Sequence, residues 1–401
     1  MQTKILFLIA DGMGDWPGPK GKKTPLAEAE TPNMDELARL CCAGRIQTIP
    51  PGMEPGSDTA NMALIGFDPQ KHLTGRGAVE AAAKGLKLAP DDLVWRLNLV
   101  TVTEPTSKGL MLDYSAGHVD TGKSTELILE LREFLHKLLG TEDFDLYPGV
   151  QYRHLLVLKK KADSTESRLH VRPPHDITGR KIGPDLETLE RSPVLSGLFH
   201  GAARRLSAAS NTSEANAIWP WGQGRPLFLP DFREAYGLKG AVISAVDLVK
   251  GLGMASKMTV LDVPGATGLL DTNYAGKVEA ALDFLDQGDF VYLHVEAPDE
   301  CGHAGNRAEK IEAVARFDSQ IVGPLRRALE GRDVAFFITC DHLTPLRKKT
   351  HVSDPVPFLL NHPRCMEHAL PAFTEATAAK TGLFIDPGHA TLSWVQKKLL
   401  S

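Results

Sequence analysis

Short, continuous apolar runs that end in Asp or Gly alternate along this chain with stretches of helical apolar spacing, the pattern of a parallel sheet with helical crossovers. Lys4-Ile-Leu-Phe-Leu-Ile-Ala10 predicts a buried strand running into the loop Asp11-Gly12-Met13-Gly14. Thr31-Pro32-Asn33-Met34-Asp35-Glu36 combines a cap-type residue, an early proline and acidic residues in the first turn, and so predicts a helix start. The runs Asp289-Phe-Val-Tyr-Leu-His-Val295 and Val334-Ala-Phe-Phe-Ile-Thr339 flank a helical stretch from about Arg307 to Leu329, which predicts a further βαβ unit. Ligands of such sheets gather beyond the carboxyl ends of the strands.

Between residues 76 and 215 the pattern changes. The half-polar strands Trp95-Arg-Leu-Asn-Leu-Val-Thr101, Met111-Leu-Asp113 and Arg153-His-Leu-Leu-Val157 alternate with helices, one of them near Ser124 to Leu138. This predicts an inserted, smaller α+β domain (76–215), with Ala203 to Ala215 as a helix end and return linker; residues 1–75 and 216–401 form the α/β domain.

Composition narrows the function. At 401 residues, with 42% hydrophobic and 24% charged residues, the chain can build two domains and a deep cleft. A net charge of −5 with interspersed signs offers no basic face for nucleic acid and no polybasic cluster for a membrane, so a small molecule is the expected partner. The apolar runs are far short of the roughly 20 residues that span a bilayer. Met1-Gln2-Thr3-Lys4 leads into a strand rather than a signal peptide, which predicts a cytoplasmic protein. Five cysteines without CxxC spacing predict reduced thiols, with Cys301 and Cys340 packing beside motif residues. The oligomeric state is not legible.

Four clusters carry ligand types that divalent cations accept: Asp11; Asp299 with His303; Asp341-His342; and His351. The three strand-associated carboxylates would leave a parallel sheet at one edge. Mixed carboxylate and imidazole donors suit Mn²⁺ or Zn²⁺ better than Mg²⁺ or Ca²⁺, with Co²⁺ or Mg²⁺ as the further candidates, and two such ions could hold a phosphoryl group between attacking and leaving oxygens. The alternative for any one member is an ordinary one: an Asp that caps a helix, a His satisfied in the core.

Ser57, in Pro55-Gly56-Ser57-Asp58-Thr59-Ala60-Asn61-Met62, is the candidate nucleophile, with Gly56 allowing close backbone approach and a helix starting at Ser57 or Asp58. It could equally be an N-cap, and the two readings are compatible, because a helix N-terminus also stabilises a phosphate. Cationic partners for phosphate and carboxylate are offered by Arg76, Arg96, Arg153, His154 and His118.

The ordered set Ala10-Asp11-Gly12-Met13, Lys23-Thr24-Pro25-Leu26 with Thr31-Pro32-Asn33-Met34, Pro55-Gly56-Ser57-Asp58, Gly75-Arg76-Gly77-Ala78, Glu296-Ala-Pro-Asp299-Glu-Cys-Gly-His303 and Asp354-Pro-Val-Pro357 resembles the archaeal-type cofactor-independent phosphoglycerate mutases of the alkaline phosphatase superfamily across nearly the whole chain. The resemblance implies an alkaline-phosphatase-like three-layer α/β/α metal domain interrupted by a substrate domain. It implies that Asp11, Ser57, Asp341 and His342 hold one metal and Asp299, His303 and His351 the other, with Lys277 near the nucleophile. The implied reaction has Ser57 take the phosphoryl group of a phosphoglycerate and return it to the other hydroxyl; His118 is the candidate proton shuttle.

The segment Ala217-Ile218-Trp219-Pro220-Trp221-Gly222-Gln223-Gly224 and the Tyr152-Arg153-His154 context also resemble a bacterial branch proposed to phosphorylate homoserine. A related phosphoryl-transfer enzyme, such as a homoserine kinase or a phosphohydrolase, is therefore the alternative. A non-catalytic binding protein is disfavoured, because every expected ligand and the nucleophile are present.

Overall fold

The computed structural model describes residues 3–208 and 211–400; the expectations for Met1, Gln2, Ala209 and Ser210 lie outside the described residues. Its strands, in chain order, are β1 (Lys4–Ala10), β2 (Cys42–Ile46), β3 (Leu93–Val102), β4 (Met111–Asp113), β5 (Phe144–Tyr147), β6 (Arg153–Leu158), β7 (Ala217–Gly224), β8 (Gly240–Ile243), β9 (Thr259–Val260), β10 (Phe290–Val295), β11 (Val334–Thr339), β12 (Val356–Asn361) and β13 (Phe384–Ile385). The chain separates into two compact units, residues 1–73 with 228–401 and residues 74–227.

The first unit is built on an eight-stranded sheet in the order β13-β2-β12-β11-β1-β10-β8-β9. Strands β11, β1, β10 and β8 run parallel. Every residue of β10 and β11 is buried, as is all of β1 beyond Lys4, so the central sheet is covered on both faces, the middle layer of a three-layer α/β fold. The expected βαβ unit joins β10 to β11 by passing over β1, which lies between them. Its helical crossover is continuous but not uniform: α-helix Arg307–Phe317, a π-helical turn Asp318–Val322, then α-helix Gly323–Ala328. Pro324 has no N–H for the usual bond four residues back, and the Gly323 N–H reaches the Asp318 carbonyl instead, so the ladder widens by one residue.

The second unit is a five-stranded antiparallel sheet, β4-β3-β6-β5 with β7 also on β3. Side chains alternate across it. Trp95, Leu97, Leu99, Leu156 and Leu158 face the larger core, with Ile128 and Leu131 of the helix Thr121–Leu139 and Leu195 and Phe199 of the helix Pro193–Leu206. Val94, Leu155 and Val157 face a smaller cluster with Ala81 of the helix Arg76–Ala83. The expected boundary at 215/216 is corrected here: β7, placed by sequence reading in the returning domain, pairs with β3 from Val94 to Val100 and so belongs to the second unit, which ends at Leu227.

Candidate active site

Three adjacent parallel strands, β11, β1 and β10, deliver the carboxylates to one edge of the first unit's sheet. Asp11 follows β1 directly, Asp341 follows β11, and Asp299 stands in the helix Ala297–Ala304 that starts beyond β10. The approach is close enough to exclude a side chain at position 12. Gly12 is left-handed (φ +59°), and a Cβ there would stand 2.5 Å from Asp299 Oδ1. The Gly12 and His342 amides both donate to Asp341 Oδ1 (3.1 and 2.9 Å), orienting that carboxylate.

Two donor groups result. His303 Nε2 lies 3.1 Å from Asp299 Oδ2 and 2.9 Å from His351 Nε2, and His351 Nε2 lies 3.6 Å from Asp299 Oδ1. His303 donates from Nδ1 to the Lys349 carbonyl (3.1 Å), so Nε2, the nitrogen beside Asp299, is the one a cation would take in place of its proton. In the second group, His342 Nε2 stands 3.0 Å from Ser57 Oγ, 3.3 Å from Asp341 Oδ2 and 3.5 Å from Asp11 Oδ1.

Ser57 is the first residue of the helix Ser57–Ile65, and Gly56 is its N-cap. The N-cap alternative for Ser57 therefore falls: its hydroxyl makes no capping bond and points to His342 instead. Gly56 is extended (φ −176°), a conformation open to any residue.

Burial gives this edge its electrostatic character. Asp11, Asp299 and Asp341 are each at most 4% exposed. Burial and the neighbouring Asp341 and Asp299 charges push Asp11 well above the usual carboxylate range. Burial opposes ionisation of Asp299 too, but hydrogen bonds from His303 and His351 hold it well below that range, and the Asp299 bond raises His303 to about 9. Burial, then Asp299, lifts Glu296 to about 8. Among the described residues Asp11 Oδ1 is buried without a hydrogen-bond partner. Crowded, dry carboxylates with imidazole nitrogens between them are a donor set that divalent cations satisfy.

In the second unit, Arg96 and Arg153 occupy the sheet face that the helix Arg76–Ala83 covers, because Arg96 is opposite Leu155 and Arg153 opposite Asn98. Arg96 is half-buried, paired with Glu80 (2.7 Å) and stacked 4.3 Å above Trp221, and its Nε has no partner among the described residues. A row of ring contacts, His118–Tyr152 (6.1 Å), Tyr152–Tyr114 (5.6 Å), Tyr114–His175 (6.1 Å) and His175–Trp221 (5.4 Å), connects His118 to the Arg96 stack. Arg153 lies over Tyr152, and Arg76 is exposed within electrostatic reach of Arg96. His118 is exposed at φ +52°, in a turn tied by Asp113 to Ser115 and Gly117. His154 does not join this group: it pairs with Leu97 on the opposite, core face, accepts from the Gly149 amide (3.0 Å), and burial lowers it to about 3.

The metalloenzyme superfamily model matches residues 3–395. The 2,3-bisphosphoglycerate-independent phosphoglycerate mutase of Methanothrix thermoacetophila is 42% identical over 397 residues, covering 96% of this chain and 97% of that one. That of Methanosarcina barkeri is 44% identical over 395 residues, covering 95% and 96%. The chain belongs to this phosphoglycerate mutase family of metalloenzymes. Among solved structures, a Pyrococcus horikoshii protein matches with a TM-score of 0.81 at 28% identity, covering 100% of this chain and 98% of that one. The cofactor-independent phosphoglycerate mutase of Thermoplasma acidophilum matches at 0.66 and 26%, covering 100% and 99%. Divalent-metal dependence goes with the family, and the unpartnered Asp11 oxygen and the two carboxylate–imidazole groups fit it. No helix among the described residues is long and apolar enough to cross a membrane.

Several residues of this family member escaped sequence reading. His294 places Nε2 3.0 Å from Asp11 Oδ2, and Asn61 bridges Asp341 Oδ2 (2.8 Å) to the Tyr292 hydroxyl (2.5 Å). A legible signal existed for two of them, since His294 and Tyr292 interrupt a strand that is otherwise apolar. Lys277, which the resemblance had placed near the nucleophile, is fully buried, donates to the His294 carbonyl (2.8 Å), and is lowered by burial to about 8. His175, in the short 3₁₀ turn Pro174–Ile177, carried no periodic signal.

Proposed function

We infer that this protein interconverts 3-phosphoglycerate and 2-phosphoglycerate without added bisphosphoglycerate, through a phosphoserine at Ser57. The observation that carries the reading is the Ser57 hydroxyl, held at a helix start 3.0 Å from His342 Nε2 and beside buried carboxylates. The mutase names of the relatives support it and do not favour the homoserine-phosphorylating alternative.

Asp11, Ser57, Asp341 and His342 would hold one divalent ion and Asp299, His303 and His351 the other, Mn²⁺ or Zn²⁺ by donor type. Bound there, such ions supply charge neutralisation at the phosphoryl oxygens and favour the ionised serine. Ser57 Oγ bonds to phosphorus as the bond to the substrate oxygen breaks, and that oxygen takes a proton. After the glycerate turns within the site, its other hydroxyl loses a proton and takes the phosphoryl group back from Ser57. The amides at the start of the helix Ser57–Ile65 stabilise the phosphate while it is on the serine. Arg76, Arg96 and Arg153 take the substrate's anionic groups, and His118 carries the proton between hydroxyls. Cytosolic metabolism is the expected setting.

The test is incubation of metal-loaded protein with 3-phosphoglycerate. Appearance of 2-phosphoglycerate without bisphosphoglycerate is expected; no conversion with Mn²⁺, Zn²⁺, Co²⁺ or Mg²⁺ would sink the assignment.

A further inference from the structure

Behind the two donor groups lies a buried cation that the proposed chemistry does not use. Lys310, in the helix Arg307–Phe317, has no exposed surface. Its ammonium donates to the Gly14 carbonyl (3.2 Å) and the Thr344 carbonyl (2.7 Å), and it stands 3.4 Å from Asp15 Oδ2. Burying an ammonium carries a large desolvation penalty, whereas a methionine would fill similar space without it. A lysine here calls for a positional reason.

The two carbonyls belong to the two loops that carry metal-site residues. Gly14 closes the loop that opens with Asp11, and Thr344 lies two residues beyond His342. Asp15 ties the same loops a second time, because its Oδ2 also accepts from the Leu346 amide (3.1 Å). From the clamped Thr344 backbone the side chain reaches forward. Its hydroxyl donates to Asp299 Oδ1 and stands 3.2 Å from His342 Nδ1. One hydroxyl proton cannot go both ways. Given to Asp299, it leaves the oxygen to accept from His342 Nδ1–H, and His342 then presents a bare Nε2 toward Ser57, Asp11 and Asp341.

We propose that Lys310 is a positioning residue of the metal centre: by fixing the Thr344 carbonyl it aims the Thr344 hydroxyl at Asp299 and His342, and so sets the His342 tautomer that can bind a cation. The inference rests on the reading that Asp299 and His342 are metal ligands.

The test is calorimetric titration of the metal-stripped full-length protein with Mn²⁺, alongside thermal unfolding of the same stripped protein. Lys310→Met is expected to weaken Mn²⁺ binding about 10–100-fold, the usual scale for partners behind metal ligands. Thr344→Val should reproduce that loss while Thr344→Ser keeps wild-type affinity, and Lys310→Met/Thr344→Val should be no weaker than the worse single variant, because both act through one hydroxyl. Lys310→Met/Asp15→Asn removes the stranded carboxylate charge; it should regain thermal stability without regaining affinity. Affinity within twofold of wild type in Lys310→Met, recovery of affinity together with stability in the Asp15→Asn double variant, or multiplying losses with Thr344→Val would each overturn the proposal. Thr344→Val does so alone if its affinity is unchanged. A wild-type chain that binds no Mn²⁺ or Zn²⁺ overturns the metal-ligand reading beneath it, an outcome distinct from a wild type that binds and a Lys310→Met that binds equally.

Discussion

The two units present opposite kinds of chemistry in opposite ways. In the first, carboxylates are almost entirely buried and fixed by backbone amides, helix starts and adjacent strands. In the second, cations surround a row of rings in edge-on contact, with Arg153, Arg76 and His118 exposed and only Arg96 sunk against Trp221. The difference teaches how each part can act. Phosphoryl transfer gains most from groups held rigidly in a dry site, while anion capture tolerates exposed, longer side chains whose charge acts over a distance.

The sharpest way to break this division is Ser57→Ala. Mutase turnover should fall by at least about 10⁴-fold, as when a nucleophile is lost, while calorimetry still shows cation binding at Asp299, His303 and His351. Surviving turnover would move the chemical step away from the first unit's edge.

A smaller effect separates roles within the second unit. Steady-state kinetics of Arg96→Met should show KM raised about tenfold to a hundredfold, the worth of a charge-assisted hydrogen bond, with kcat less affected. His118→Ala should instead lower kcat by about 10²–10⁴, the range of a general acid–base group. Undiminished turnover in His118→Ala would remove it from proton transfer, and an Arg96 effect on kcat alone would remove it from substrate capture.

The smallest expected effect concerns the residue that left the cationic group. His154 is lowered by burial from 6.5 to about 3, so the folded chain keeps it neutral while the unfolded chain protonates it. Its contribution to stability is therefore fully present above pH 6.5 and is lost as the pH falls toward 3. His154→Gln, which retains an acceptor for the Gly149 amide, should show a flatter loss of stability between pH 6.5 and 5, by about 1 kcal/mol per pH unit. Equal slopes for wild type and variant, measured by chemical denaturation, would mean that His154 titrates in the fold after all.

The linear order of residues determined where the first unit's carboxylates gather, for a physical reason: in a parallel sheet a residue one to four positions beyond a buried strand must emerge at the shared edge. Asp11, Asp341 and Asp299 were legible because β1, β11 and β10 announce themselves as apolar runs, and the extra imidazole of His294 was visible within one of them. Register and packing decided the rest. Whether Ser57 caps its helix or faces His342 depends on how a turn of backbone meets a loop some 285 positions away. His154 and Arg153 are neighbours in sequence yet belong to opposite faces, because a strand sends consecutive side chains apart and only pairing with β3 says which face is core. Lys310 reads in sequence as one more charge on a helix; its isolation from water, and the two loop carbonyls it holds, exist only once that helix is packed against them.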